Sequence, residues 1–233
     1  NGRVVIMRIY LCGEGPHEIG EKEWNSREGC YVEVEGWMQV LARRLCPQVE
    51  KAELVPVLGT RIQMLMSDEK RYRPLPKGHG RRSLAAKLAA KREECNTVVY
   101  MLDADTCSPD EWREKRQQVL DGFDAVDNGV IGLACIPMSA SEAWFLADDA
   151  AWAMIEPDCV PSLPAKPEEI WGKRNNPSGS HPHRIFTRVC HSGGLLDNLD
   201  IRVRIVESMD IAVVQKKCPV SFGGLLADLR QIC

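Results

Sequence analysis

The sequence predicts an α/β fold: a central parallel sheet flanked by helices, followed by a helical C-terminal extension. In the first half, short apolar runs alternate with amphipathic stretches. The apolar runs lack the polar alternation of a half-exposed strand, which is typical of parallel strands covered on both faces. The composition, 44% hydrophobic and 27% charged residues, is that of a globular protein.

Four apolar runs, each bounded by turn residues or charges, predict the strands. They lie at 4–12, 52–58, 97–102 and 129–137. The run at 97–102 is the clearest, because Thr97-Val98-Val99-Tyr100-Met101-Leu102 is rich in β-branched and aromatic residues and ends at Asp103.

Helices are predicted where apolar residues recur at a spacing of three and four or where capping residues precede such a stretch. In the first half they lie at 34–45, at 83–92, after Ser108 and from about Ser141. The stretch 157–182 is rich in Pro, Gly, Asn and Ser and predicts a loop with a short helix near Pro167. Further helices are predicted at 182–189, 200–208 and 221–231. We therefore predict an α/β core over 1–156 and a loop and helical extension, packed on that core, over 157–233.

Charge and composition exclude several classes of protein. The net charge is −3, so any nucleic-acid binding must come from a local patch. No apolar run approaches the roughly 18 residues of a membrane span, and the N-terminal apolar stretch is too short for a signal peptide. The ten cysteines are scattered without a Cys-x-x-Cys pair. We expect a soluble cytoplasmic protein with reduced thiols and no membrane partner.

Acidic residues follow the predicted strands. Glu14 and Glu18 follow the first, Asp103 and Asp105 end the central one, and Glu142 follows the next. Since the carboxyl ends of parallel strands share one edge, these acids should converge, and Asp103 and Asp105 should point to the same side of an extended chain. Converging carboxylates without a neighbouring cation favour Mg²⁺ or Mn²⁺, and such a centre is typical of phosphodiester hydrolysis.

A basic stretch between 70 and 92 is a candidate nucleic-acid surface. Arg81 and Arg82 lie in or beside a loop, and Lys87 and Lys91 are one helical turn apart on a face expected to be exposed. A solvated helix face without a ligand explains these residues equally well.

Four segments together resemble a known family. They are Ile9-Tyr10-Leu11-Cys12-Gly13-Glu14-Gly15-Pro16-His17-Glu18, Val98-Val99-Tyr100-Met101-Leu102-Asp103-Ala104-Asp105, Ser141-Glu142-Ala143-Trp144-Phe145-Leu146-Ala147-Asp148 and the tail from Lys217 to Leu229. They are similar to a Toprim-like family of unknown function that is related to OLD-type nucleases. That family is often encoded beside ATPases in phage-defence loci.

The resemblance implies a Toprim-like (Rossmann-like) sheet and a metal-dependent nuclease acting on DNA or RNA, with an ATPase as partner. It implies that the metal ligands and catalytic acids are Glu14, Glu18, Asp103, Asp105 and Glu142. The chain departs from the family at His181-Pro182-His183-Arg184, where a lysine is expected. Arg184, as a catalytic residue, or Lys173, as a nucleic-acid contact, would then supply the positive charge near the phosphate.

Two alternatives stay open at this point. A Toprim module without catalytic activity would bind nucleic acid or regulate an ATPase partner. A glycosyltransferase would use Asp103-Ala104-Asp105 to hold Mn²⁺ and a nucleotide sugar, but it would give Glu14 no role. The sequence does not decide between DNA and RNA or establish whether the chain forms a homo-oligomer.

Overall fold

The computed structural model describes residues 7–25, 30–50 and 53–230. The described residues form six strands: β1 (Ile9–Gly13), β2 (Glu21–Asn25), β3 (Cys30–Val34), β4 (Leu54–Leu58), β5 (Thr97–Met101) and β6 (Ile131–Cys135). Four of them make a parallel sheet flanked by helices, in the order β4-β1-β5-β6. The predicted α/β class and parallel sheet are therefore confirmed.

Eleven α-helices complete the described chain. They are α1 (Pro16–Ile19), α2 (Trp37–Leu45), α3 (Met66–Arg71), α4 (His79–Arg92), α5 (Pro109–Asp124), α6 (Glu142–Phe145), α7 (Asp149–Ile155), α8 (Pro182–Ser192), α9 (Leu199–Ser208), α10 (Ile211–Lys217) and α11 (Ser221–Leu229). A short 3₁₀ helix at Pro167–Glu169 lies where the sequence predicts one. In the part of the chain that the structure describes, no helix combines the length and apolar character needed to cross a bilayer.

The chain divides into two compact units. The first comprises Asn1–Met101 and Glu114–Ala134, and the second comprises Leu102–Arg113 and Cys135–Cys233. The sequence predicts one boundary, after residue 156. In the structure, the boundaries between the two units lie instead near the ends of β5 and β6. The second unit takes in the loop after β5 with the start of α5, the last residue of β6 with the loop after it, and the C-terminal helices.

The first unit is built on β1, whose five residues are all buried. Ile9 of β1 is in register with Leu54 of β4 on one side and with Thr97 of β5 on the other. β1 is thus an interior strand, which explains its uninterrupted apolar sequence. The carboxyl ends of these neighbouring strands lie at the same edge of the sheet.

Helix α4 packs closely against α5 within the first unit. A Cβ on Gly122 of α5 would lie 2.1 Å from the carbonyl oxygen of Gly80, so the two backbones meet where side chains are absent. The hydroxyl of Ser83 donates to the carbonyl of Val119, 2.8 Å away. Lys87 lies on this contact and is only 8% exposed. Its predicted position on an exposed face is therefore wrong, whereas Lys91 is exposed.

The antiparallel pair β2 and β3 is an element that the sequence analysis does not predict. Glu21 opposes Val34, and Asn25 opposes Cys30. The segment Glu21-Lys22-Glu23 is charged and gives no apolar run from which a strand could be recognised. Gly20 precedes β2 with φ +84°, a conformation that favours glycine, and a Cβ there would lie 2.2 Å from the carbonyl oxygen of Val34.

Aromatic side chains form the core of the second unit. Phe186 of α8 makes edge-to-face contacts with Phe145 and Trp152, at centroid separations of 5.9 and 5.8 Å. The indole nitrogen of Trp152 donates to the carbonyl oxygen of Phe145, 2.8 Å away, which satisfies its buried polar atom. These contacts join α6, α7 and α8.

Candidate functional site

Backbone hydrogen bonds continue beyond the ends of β5 and β6 into the second unit. The amide of Leu102 donates to Cys135 at 3.1 Å, and that of Ala104 donates to Pro137 at 2.9 Å. Asp103 follows this extended pattern, and its Oδ1 accepts a hydrogen bond from the amide of Ser141 at 3.0 Å.

Asp105 departs from that extended geometry. Its φ is +46°, in the left-handed region that aspartate tolerates better than most residues. The expectation that Asp103 and Asp105 share an extended backbone is therefore wrong at Asp105. This residue is exposed and lines a cleft.

Glu142 begins α6 and lies in a buried network of charged groups. Its Oε1 is 2.9 Å from Nη1 of Arg202 and 3.1 Å from Nδ1 of His183. Nη2 of Arg202 binds Asp197 at 2.7 Å, and Asp197 accepts a further hydrogen bond from Thr187 at 2.8 Å. The sequence offers no cation near these acids along the chain, but the fold brings Arg202 of α9 to Glu142 from 60 positions away.

These partners set the charge state of Glu142. Burial raises its pKa, but the hydrogen bond with His183 and the attraction of Arg202 outweigh burial and lower the pKa to about 2. Glu142 is therefore ionised and neutralised by a protein cation.

Glu14 and Glu18 belong to the first unit, whereas Asp103, Asp105 and Glu142 belong to the second. Glu14 directly follows β1 and is exposed. Oε2 of Glu18 accepts a hydrogen bond from the amide of Gly15 at 2.5 Å, which closes the turn before α1. The convergence of all five acids stays a prediction.

The expected Mg²⁺ or Mn²⁺ centre stays a prediction. Within 7–25, 30–50 and 53–230, no group of three or more His, Cys, Asp or Glu residues is arranged to hold a metal ion. One oxygen of Glu142 is shared between Arg202 and His183, and Oδ1 of Asp103 is bonded to a backbone amide. Glu142 and Asp103 thus already have protein partners.

An open cleft of about 700 Å³ lies on the second unit. Its volume is within the usual range for small-ligand sites. Its lining residues are Asp105, Trp171, Gly172, Lys173, Arg174, Asn175, His181 and Arg184. Three of these side chains are cationic and one is anionic, so the lining carries a net positive charge.

His181 is a buried residue of this lining, at 3% exposure. Its Nδ1 accepts a hydrogen bond from the amide of His183 at 3.2 Å and caps the start of α8. Burial lowers the pKa of His181, and the nearby Arg174 lowers it further, against the opposing influence of Glu142. A neutral imidazole that accepts at Nδ1 carries its proton on Nε2 and is a hydrogen-bond donor there.

Of the basic residues predicted to bind nucleic acid in the first unit, Arg81 and Lys87 are bound by protein groups, whereas Lys91 is exposed. Arg81 pairs with Glu69, and Arg82 lies near enough to Tyr100 to lower the pKa of that hydroxyl against the larger effect of burial, which raises it. Nζ of Lys87 donates to the carbonyl oxygens of Phe123 and Val126, at 2.8 and 2.9 Å. A role of Lys87 in binding nucleic acid is therefore wrong, because its ammonium group lies inside the protein.

The motif beginning at Ser141 and the tail motif meet in the core of the second unit. The indole nitrogen of Trp144 donates to the hydroxyl of Ser221 at 2.8 Å, and the ring of Trp144 contacts Phe222 edge to face at 5.1 Å. Asp148 accepts hydrogen bonds from the amides of Ala150 and Asp210, at 3.0 and 2.7 Å. Apart from Glu142, these motif residues therefore have structural roles.

Trp171, Arg174 and His181 are cleft residues that the sequence did not predict, and Arg202 was not predicted as the partner of Glu142. Trp171-Gly172-Lys173-Arg174 did carry a signal: an aromatic residue beside two cations in a loop. Arg202 lies 60 positions beyond Glu142 on another helix, and no local pattern connects the two.

Comparisons with family models, with curated proteins and with solved structures find no match to this chain. Fold and site together define an α/β protein whose second unit carries a cationic cleft. The relationship to Toprim nucleases stays a prediction from its motifs.

Proposed function

We propose that this protein binds the phosphate backbone of nucleic acid in the cleft of its second unit. The observation that carries the proposal is the grouping of Lys173, Arg174 and Arg184 around one concave surface. Phosphate contacts from lysine and arginine supply most of the affinity of non-specific nucleic-acid binding. Asp105 is the single acidic residue of the lining, and it leaves the cleft with a net positive charge.

The cleft is partly organised before a ligand binds. Nε of Arg184 donates to the carbonyl oxygen of Arg174 at 2.6 Å. Nη1 of Arg188 donates to the carbonyl oxygens of Pro177 and Gly179, at 3.2 and 2.9 Å. Both arginines belong to α8 and fix the loop to this helix, which reduces the ordering that binding requires. The positive end of the α8 dipole adds to the favourable potential.

The test measures binding of a fluorescently labelled oligonucleotide by anisotropy over a range of salt concentrations. The test variant replaces Lys173, Arg174 and Arg184 by glutamine. A matched control replaces three cations outside the cleft in the same unit: Lys166, Arg204 and Lys216. A plot of log affinity against log salt concentration has a negative slope. We expect the magnitude of this slope to be smaller by about 2 to 3 in the test variant than in the unaltered protein.

The control variant carries the same loss of charge, so it separates a site from a general electrostatic effect. Equal weakening by both triple variants, or no binding by the unaltered protein, would overturn the proposal. Circular dichroism and thermal unfolding of each variant establish that the fold is retained.

A metal-dependent nuclease is the second candidate. It is favoured by Asp103 and Asp105, which follow directly after β5 of a parallel sheet, where ligands of such folds bind. The test incubates plasmid and single-stranded substrates with Mg²⁺ or Mn²⁺. Activity that is lost in both Asp103→Asn and Glu14→Gln would support this candidate, and cleavage that survives both would exclude the proposed acids.

A further inference from the structure

Trp171 differs from the other tryptophans whose side chains the structure describes. It is 41% exposed at the cleft, whereas those at positions 37, 112, 144 and 152 are at most 7% exposed and belong to the core. An aromatic ring that remains accessible beside a group of cations presents its face to a ligand that has both a planar apolar part and a negative charge.

The backbone that carries Trp171 is held in place. The hydroxyl of Ser180 donates to the carbonyl oxygen of Trp171. At Gly172, a Cβ would lie 2.8 Å from the amide nitrogen of His181, so the two segments approach as closely as glycine allows. The indole ring lies 6.2 Å from the imidazole of His181, centroid to centroid, at an interplanar angle of 47°.

We infer that the cleft takes an unpaired nucleotide of a single strand, with its base stacked on Trp171 and its phosphate bound by Lys173 and Arg174. This inference rests on the proposed function and specifies its ligand. Two cations follow the aromatic ring within three residues, which matches a ligand that joins a base to its phosphate. Aromatic rings and cationic grooves are the usual combination in single-strand binding.

A duplex does not meet the same requirements. Paired bases inside a duplex present only their edges, so their faces are not available to a tryptophan in a cleft. Stacking on Trp171 therefore selects single strands over duplexes.

The experiment titrates the protein with a single-stranded oligothymidylate, with a duplex of equal length and with thymidine monophosphate. The variants are Trp171→Ala, Trp171→Phe and, as a control, Met154→Ala, which removes another exposed apolar side chain of the same unit. Loss of the stacking ring in Trp171→Ala should weaken single-strand binding about 5- to 150-fold. The affinity of Trp171→Phe for the single strand should lie between those of Trp171→Ala and the unaltered protein. Met154→Ala should leave this affinity unchanged.

Fluorescence gives an independent readout. The oligothymidylate should quench part of the tryptophan emission in the unaltered protein and in Met154→Ala, and this quenching should disappear in Trp171→Phe. If the protein binds duplex and single strand with equal affinity and Trp171→Ala alters neither affinity, the inference is overturned. The proposed function would remain, because the cleft would still bind nucleic acid. Equally tight binding of the monophosphate would overturn the single strand as ligand. Absence of binding to every ligand would overturn both proposals.

Discussion

Glu142 and Arg202 form a buried ion pair, with 2.9 Å between Oε1 and Nη1. The side chain of Arg202 is 3% exposed and that of Glu142 is 8% exposed. Removing two charges from water is expensive, and the pair is tolerated because further partners bind it: His183 contacts Glu142, and Asp197 contacts Arg202. Cζ of Arg202 also lies over the ring of Phe186, 4.8 Å from its centroid.

Replacement of Arg202 by methionine should destabilise the protein by about 3 to 5 kcal/mol, because Glu142 and Asp197 would remain buried without their cation. Arg204→Met is the matched control on the same helix, since the ion pair of Arg204 with Asp200 is exposed and should contribute less than about 1 kcal/mol. Urea denaturation measures both. Equal effects would show that the buried pair is not a main source of stability.

The stability of the folded protein should depend on the ionisation of Glu142. Its pKa is lowered from 4.5 to about 2, so the folded state binds fewer protons than the unfolded state between these values. The contribution of Glu142 is therefore fully present above pH 4.5 and is lost as the pH falls toward 2. Urea denaturation between pH 2 and 7 measures the free energy of unfolding. At the acid end this free energy should fall more steeply for the unaltered protein than for Glu142→Gln. Parallel profiles would contradict the prediction.

The parallel sheet could be predicted because its signal is local. The residues of β1 and β5 are all buried, and burial on both faces requires the continuous apolar runs that the sequence contains. The charged strand β2 and the short helix α10 lack such a signal, since neither has an apolar pattern long enough to recognise.

The candidate site could be predicted only in part, because its partners are distant in sequence. Asp105 was found from its position after a strand, and it does line the cleft. Glu142 was found in the same way, but Arg202 decides its environment and no spacing rule connects the two residues. Lys87 was predicted on an exposed face, but that face of its helix is buried. Carbonyl oxygens of a neighbouring segment bind its ammonium group there.

Lys87→Met should destabilise the first unit by about 1 to 3 kcal/mol, because the carbonyl oxygens of Phe123 and Val126 would lose a buried donor. The exposed Lys91, one turn later on α4, is the matched control, and Lys91→Met should change the free energy of unfolding by no more than about 0.5 kcal/mol. Thermal and urea unfolding provide the measurement. If Lys87→Met instead weakened nucleic-acid binding without affecting stability, the structural role assigned to Lys87 would be wrong.

Glu168 connects the 3₁₀ helix to the start of α11, and its replacement by glutamine should be destabilising although the two side chains have the same size. Oε2 accepts a hydrogen bond from the amide of Val220 at 3.0 Å, and Oε1 accepts from the amide and the hydroxyl of Ser221, at 2.7 and 2.5 Å. Both oxygens thus face donors, and glutamine would place an NH₂ group against at least one of them.

An unsatisfied buried donor costs about 1 to 3 kcal/mol, and a carboxylate at a helix start also interacts favourably with the helix dipole. Glu168→Gln should therefore lower the free energy of unfolding by about 1 to 3 kcal/mol. Its neighbour Glu169 is the control, since it is exposed and pairs with Lys166 at the surface. Glu169→Gln should cost less than about 1 kcal/mol.

Because the hydroxyl of Ser221 also accepts from Trp144, loss of Glu168 should loosen the packing of that indole and shift its fluorescence. A change in stability without any change in tryptophan emission would confine the effect to the start of α11.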